Sequence, residues 1–516
     1  MSEAFKKLET VVAELRALNA AESVMVWDQE TYMPAGGGQD RAEHLSVLAR
    51  LAHEKWTADE VGELLESLKA EYKDADPDSY HALYVRHAAH LYEQSRKLPP
   101  RLVEELARES VLATEAWRKA REENDFLRFA PHLEKLVALT IEKAERLGYQ
   151  EDRYDALLDQ FEPEMPTKAV EEVFAELKRE LVPLVEAVAA APQVDDGPLK
   201  GRFDKQRQWE LNLDVLRAIG YDMERGRLDE SAHPFTISFS RNDVRITTRV
   251  FEDDWASALF STLHEAGHAL HAPGTAAGVD GTPLNWRSSL GIGESQSRLW
   301  ENVVGRSRNF WEWLLPKVKE RFPELAAVEL DALYKAVNRV EPSLIRVEAD
   351  ELTYNMHIFV RFDLERELIA ERLKVLELPE AWNEKMKAYL GVVPATDAQG
   401  VLQDIHWSGG SFGYFPTYTL GNVLSVQFYE QALQDVPDIP EQIRAGRFDA
   451  LRTWMNEHVH RYGSMYPPME LVRRAIRRGP GPRPAFTRPP TNSTVVYGGS
   501  GAAGMAPADA RDPPCR

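Results

Sequence analysis

From residue 3 to about 190, apolar residues recur every three or four positions among Ala, Leu, Glu, Lys and Arg. That is the period of amphipathic helices with one buried stripe. The pattern breaks where helices stop: MPAGGGQD (33–40), DADPDS (74–79), the Pro99-Pro100 pair, Pro163 to Pro166, and PQVDDGP (192–198). The breaks divide helices and hairpins within one body, and no fixed-period repeat is visible. The one convincing strand signal is HPFTISFSRNDVRITTRV (233–250), two alternating runs around the turn-forming Arg241-Asn242-Asp243. After it the helical pattern resumes, apart from a glycine- and aromatic-rich loop, HWSGGSFGYFPTYTLGN (406–422). Residues 479–516 are rich in Pro and Gly and poor in helix formers, which predicts a disordered tail. The expected organisation is mainly α: residues 1–478 as a single large helical domain with a deep substrate groove and one small β-ribbon, then the tail 479–516.

Composition narrows the chemistry. Lys+Arg 62 against Asp+Glu 83 gives a net charge of −21, which repels phosphate backbones and argues against a nucleic-acid partner. The single cysteine, Cys515, lies in the tail, so an internal disulfide framework, a thiolate metal cluster and a cysteine nucleophile in the body are excluded. Any metal must be held by His and carboxylates. No signal peptide opens the chain and no apolar run of about 20 residues occurs, so a cytoplasmic protein without a membrane partner is expected.

The sharpest motif is STLHEAGHALH (261–271). His264 and His268 are four apart, so on a helix both imidazoles leave one face and can share a metal, while Glu265 is placed to take a proton from an attacking water. The bland alternative is a pair of core histidines. The surrounding FEDDWASALFSTLHEAGHAL is helix-permissive with an apolar stripe, and GIGESQSRLWEN (291–302) supplies Glu294, 26 positions after His268, as a third ligand. Two His and one Glu without a thiol is the hydrolytic form of a zinc site. His271 is a rival ligand, but the extended HExxHxxGxxH pattern is absent, and it is expected to be a solvated or core histidine.

At this point the chain resembles the Taq-type thermostable metallocarboxypeptidases, zinc- or cobalt-dependent enzymes with an HExxH site. The resemblance spans about 24–478. It rests on HPF (233–235), DVRIT (243–247), HEAGH (264–268), ESQ (294–296), IRVEAD (345–350) and GVLQDIHW (400–407), in that order, with VMVWDQETYMPAGGGQDRAEHLSVLARLAHEKWT (24–57) near the start. Two features depart from the family. Gly293 stands where the family has a His before the glutamate ligand, and the Pro/Gly tail begins where the family continues into a further helix.

The resemblance implies a metallocarboxypeptidase acting on peptides with a free C-terminus, with broad specificity and a homodimeric state. Such an enzyme needs a cation for the α-carboxylate, and a guanidinium suits it. Arg245 alternates with Asp243 and Thr247 on one side of a strand, and Arg346 is expected to share a helix face with Asp350; an internal ion pair is the competing role for each. The resemblance favours Arg346. His406, Tyr414 and Tyr418 are spaced as in the related helical oligopeptidases, where such groups contact the scissile carbonyl, the alternative being packing aromatics. His233 is a substrate or second contact candidate, or a fixed turn before Pro234. Glu301, seven residues beyond Glu294, is a candidate oxygen partner for a ligand histidine. Rival readings are an oligopeptidase or dipeptidyl carboxypeptidase on the same site, and an inert helical peptide-binding protein.

Overall fold

The computed structural model describes residues 2–477; the expected tail at 479–516 lies outside them. Among the described residues nine α-helices precede the sheet: α1 (Glu3–Thr31), α2 (Gly38–Trp56), α3 (Asp59–Glu71), α4 (Tyr80–Lys97), α5 (Pro100–Glu123), α6 (Phe126–Leu147), α7 (Arg153–Leu158), α8 (Thr167–Ala190) and α9 (Lys205–Ile219). The breaks read from Pro, Gly and Asp fall between them. Pro99-Pro100 separates α4 from α5 because the second proline sits in the first turn, where its missing N–H costs nothing.

The sheet has three strands, β1 (Leu228–Glu230), β2 (Thr236–Ser240) and β3 (Asp243–Thr248), in the order β1-β3-β2. β2 and β3 form the expected antiparallel ribbon, with Thr236 opposite Ile246 and Ile237 opposite Arg245. Asp243 belongs to the strand and not to the turn. β1 pairs parallel to β3 and carries too short a run to show in the sequence pattern.

Helices then resume: α10 (Trp255–Ala269), α11 (His271–Gly274), α12 (Leu290–Arg298), α13 (Arg308–Arg321), α14 (Leu330–Val337), α15 (Tyr354–Ile369), α16 (Leu378–Leu390), α17 (Pro416–Asp435), α18 (Ile439–Arg444), α19 (Asp449–His458) and α20 (Pro468–Ile476). Asp254 starts α10 by accepting the N–H groups of Ala256 and Ser257, both at 3.1 Å. Thr262 then donates to Thr248 Oγ1 (3.1 Å), which ties the middle of α10 to β3.

Close helix approach brings the second half of the site in. A Cβ on Gly267 of α10 would stand 2.6 Å from Ser297 Cα of α12, and one on Gly421 of α17 would stand 2.9 Å from the Glu294 carbonyl carbon. Only glycine allows these three helices to meet at this spacing. After α12 the chain widens into one π turn over Leu299–Val304, which carries Glu301.

Two local expectations are corrected. The segment 345–350 is not helical: Arg346–Glu348 forms a single tight turn, and Asp350 instead caps the approach to α15 through Leu352 N (3.0 Å) and Thr353 N (2.9 Å). Asp and Thr compete for backbone hydrogen bonds, which ends a helix as readily as it starts one. The glycine-rich loop ends at Phe415 and not at 422, because Pro416 opens α17 and places Tyr418 in its first turn.

Candidate active site

HEAGH lies in the last two turns of α10, and Glu294 in the middle of α12. The crossing sets His264 Nε2 3.8 Å from Glu294 Oε2 and His268 Nε2 3.7 Å from Glu294 Oε1. All three donor groups lie within 4.8 Å of one another. A tetrahedral ion with bonds of about 2.1 Å has donor–donor edges of roughly 3.4 Å, so this triangle fits a divalent metal with a small contraction.

The second ring nitrogen of His264 supports that fit. Its Nδ1 lies 2.7 Å from Glu301 Oε2, and Arg298 Nη1 donates to the same oxygen at 3.0 Å. An imidazole that gives its Nδ1 proton to a carboxylate keeps Nε2 as the free donor atom. Burial alone would raise Glu301, but Arg298 and His264 outweigh it and hold the carboxylate down at about 2. Burial likewise works against a charged His264, yet its bond to Glu301 leaves its pKa raised overall. His268, buried and beside His264, is pushed well below the usual imidazole value. Ser297 donates to Glu294 Oε2 at 3.0 Å and fixes that carboxylate.

Glu265 points from the same helix toward β2. Thr236 Oγ1 is 2.7 Å from its Oε2 and 2.8 Å from its backbone oxygen. Burial raises the Glu265 carboxyl, opposed by His264 and the Thr236 bond. A base with a raised pKa, held at a fixed angle beside a three-donor metal site, is the arrangement that water activation requires.

A second cluster assembles around Asp404. Arg346 donates to Asp404 Oδ1 from Nε (3.0 Å) and Nη2 (2.8 Å) and to Tyr354 OH from Nη1 (2.7 Å). Arg361 Nε donates to Asp404 Oδ2 at 2.6 Å. The sequence pointed to Asp350 as the ion-pair partner of Arg346; with no helix over 345–350, the partner is Asp404. Two guanidiniums share one carboxylate, so the cluster retains a positive charge. His406 lies beside it, 3.9 Å from Asp404, with Nε2 3.4 Å from Tyr418 OH. Burial and Arg346 lower His406 to about 4. Burial pushes Tyr414 up to about 12 and holds Tyr418 well above the usual phenol value, so both phenols stay protonated donors. Tyr414 packs edge-on to Tyr418 at 5.3 Å, and Glu294 is among the charges acting on both.

The other sequence candidates sit elsewhere. Arg245 is gripped by Asp243 through two 2.8 Å bonds, and its guanidinium lies 4.6 Å from the Trp27 ring and 4.7 Å from the Phe239 ring. His233 is exposed, with its carbonyl accepting from Ser231 Oγ at 2.6 Å. His271 is buried and stacks on His460 at 4.7 Å, outside the three-donor group. Sequence reasoning missed Thr236, Asp404 and Arg287. The first two lie in or beside quoted motifs without a spacing that singles them out. Arg287, in the irregular segment before α12, carries no signal at all.

Two histidines and a glutamate around one point, with a second glutamate held beside them, define a metallopeptidase-type centre in a helical protein with a small sheet. The family model described as carboxypeptidase Taq (M32) metallopeptidase matches residues 7–486, and the chain belongs to that family. It is 42% identical to thermostable carboxypeptidase 1 of Thermus thermophilus, over 96% of this chain and 99% of that protein. It is 38% identical to carboxypeptidase 1 of Bacillus subtilis, over 91% and 94%. The crystal structure of an M32 carboxypeptidase from Deinococcus radiodurans superposes with a TM-score of 0.91 at 40% identity, covering 96% of this chain and all of that one. The chain is a metal-dependent carboxypeptidase, a hydrolase of peptides that works with a divalent metal ion. No helix among the described residues is long and apolar enough to cross a membrane.

Proposed function

We propose that the enzyme removes single amino acids from free peptide C-termini with broad specificity, that zinc is its metal with cobalt as a substitute, and that His264, His268 and Glu294 hold it. The observation that carries this reading is the convergence of those three donors next to a glutamate already positioned by Thr236. When bound, the ion supplies polarisation of the scissile carbonyl and a more acidic water.

The chain's own groups do the rest. A groove in the helical body takes the peptide, and Arg346 receives the terminal carboxylate, supported by the positive charge left over in the cluster around Asp404. Glu265 Oε2 accepts the proton of the water whose oxygen adds to the last peptide carbonyl carbon. Tyr418, a protonated phenol beside neutral His406, donates to the carbonyl oxygen as charge develops there, with Tyr414 packed behind it. Glu265 then passes the proton to the departing amine nitrogen, and the C–N bond breaks. His233 and Arg245 serve at most as outer substrate contacts, since one is exposed and the other is paired within the ribbon. A cytoplasmic homodimer with residues 1–478 as one domain completes the reading; the dimer rests on the family resemblance, and sedimentation of the metal-loaded chain tests it.

Mass spectrometry of a blocked heptapeptide with free or amidated C-terminus, incubated with metal-loaded and chelated protein, tests the activity. Stepwise loss of single residues from the free acid alone, abolished by chelation, is expected. Release of dipeptides or internal cuts would replace the reading by an oligopeptidase, and no cleavage with zinc or cobalt by an inert binding protein. Glu265→Gln should retain metal and lose about 10²–10⁴-fold in kcat; a variant with unchanged kcat removes Glu265 from the chemistry.

A further inference from the structure

Gly293 immediately precedes Glu294, and the room where its side chain would stand is filled by Arg287. A Cβ on Gly293 would lie 2.6 Å from Arg287 Cδ and 3.0 Å from both Nε and Nη1. This guanidinium differs from the other arginines named above. Arg346 and Arg361 are held by Asp404, Arg298 by Glu301, and Arg245 by Asp243. Among the described residues no carboxylate lies within ion-pair distance of Arg287, and its Nε is buried without a hydrogen-bond partner. Its Cζ also lies 5.1 Å from the exposed ring of Trp286, which carries no charge to pair with it.

Arg287 packs against Gly293, next to the ligand Glu294, and the charges of Glu294, Tyr414, Glu265 and Glu162 act on it; those acting on Arg346 are Asp404, Tyr354 and Tyr418. Burial lowers the Arg287 pKa, but a guanidinium starts so high that it stays charged. A half-buried cation with free N–H groups is costly unless an anion arrives to pair with it. The anion that arrives at a carboxypeptidase is the α-carboxylate. In single-residue release the carbon of that carboxylate is three bonds from the scissile carbonyl carbon, roughly 3–4 Å away. Its cation must therefore stand beside the metal ligands, and Arg287 does.

We propose that Arg287 is a second arginine for the substrate's terminal carboxylate, meeting it at the Glu294 end of the site while Arg346 meets it from the Asp404 cluster. The assignment rests on the single-residue carboxypeptidase reading. It makes Arg287 a determinant of free-acid specificity specific to a chain with glycine at 293.

Calorimetry on the metal-loaded Glu265→Gln enzyme tests it, with an N-blocked dipeptide as the free acid and as the C-terminal amide. The parent should bind the acid more tightly. Adding Arg287→Met should weaken acid binding about tenfold to a hundredfold, the loss of a charge-assisted bond, and leave the amide unchanged. Arg287→Gln provides the same comparison should the methionine chain not fold, and metal content and circular dichroism verify each variant. An acid-to-amide ratio unchanged by Arg287→Met overturns the proposal. A parent with no preference for the acid overturns the underlying single-residue reading together with it.

Discussion

At position 293 a side chain and an arginine compete for one space. Gly293→His would drive an imidazole into Arg287 Cδ, 2.6 Å from where the new Cβ stands. The expected result is a displaced Arg287 and a loss of about 1–3 kcal/mol in unfolding free energy, the range for overpacking. Adding Arg287→Gly should recover most of it, and denaturant titration of the two variants measures both effects. Single residues were also where the sequence was most and least informative. His264, Glu265 and His268 were legible because four residues on a helix make one face, whatever surrounds it. Glu294 needed a second segment to be recognised, and Glu301 followed from it by helical spacing. Arg287, Thr236 and Asp404 were not legible, because their contribution comes from what folds beside them and no spacing encodes that.

Among the elements, the loop over 400–415 and the turn at Arg346 are held to α15 through Asp404. Removing that carboxylate's charge leaves two buried guanidiniums facing each other, which is far more damaging than losing one surface pair. Asp404→Asn is expected to cost about 3–5 kcal/mol and to lower activity even with metal bound; a melting temperature within a degree of the parent would show that the cluster does not brace the loop. The pattern of apolar positions found most helices and their breaks, since period and proline are local signals. It misjudged 345–350 and the start of α17, where Asp350 turned from helix former to cap and Pro416 opened a helix inside a glycine-rich stretch. β1 escaped it because three residues are too few for a period to show.

The whole molecule couples the site to its stability through a buried acid. Glu162, in the segment between α7 and α8, accepts the backbone N–H of Gly291 in the first turn of α12, and burial raises its pKa to about 8. The sign follows from linkage. Between the ordinary carboxyl value of about 4.5 and about 8, the folded chain holds a proton that the unfolded chain has lost, so stability falls as pH rises through this window. Glu162→Gln should flatten that slope in the chelated protein, and denaturation of both forms from pH 5 to 8 measures it; equal slopes would assign the pH dependence to other groups. By itself the sequence determined a helical body, one ribbon, a thiol-free metal motif and the family, because amphipathic period, turn residues and an i, i+4 pair are local and survive any arrangement of the rest. The tertiary structure decided that Glu294 meets the two histidines, that Arg346 answers to Asp404, and that Arg287 fills the space beside Gly293. Those depend on glycines that let three helices touch and on which charges burial leaves unpaired, and neither is a property of any one stretch of chain.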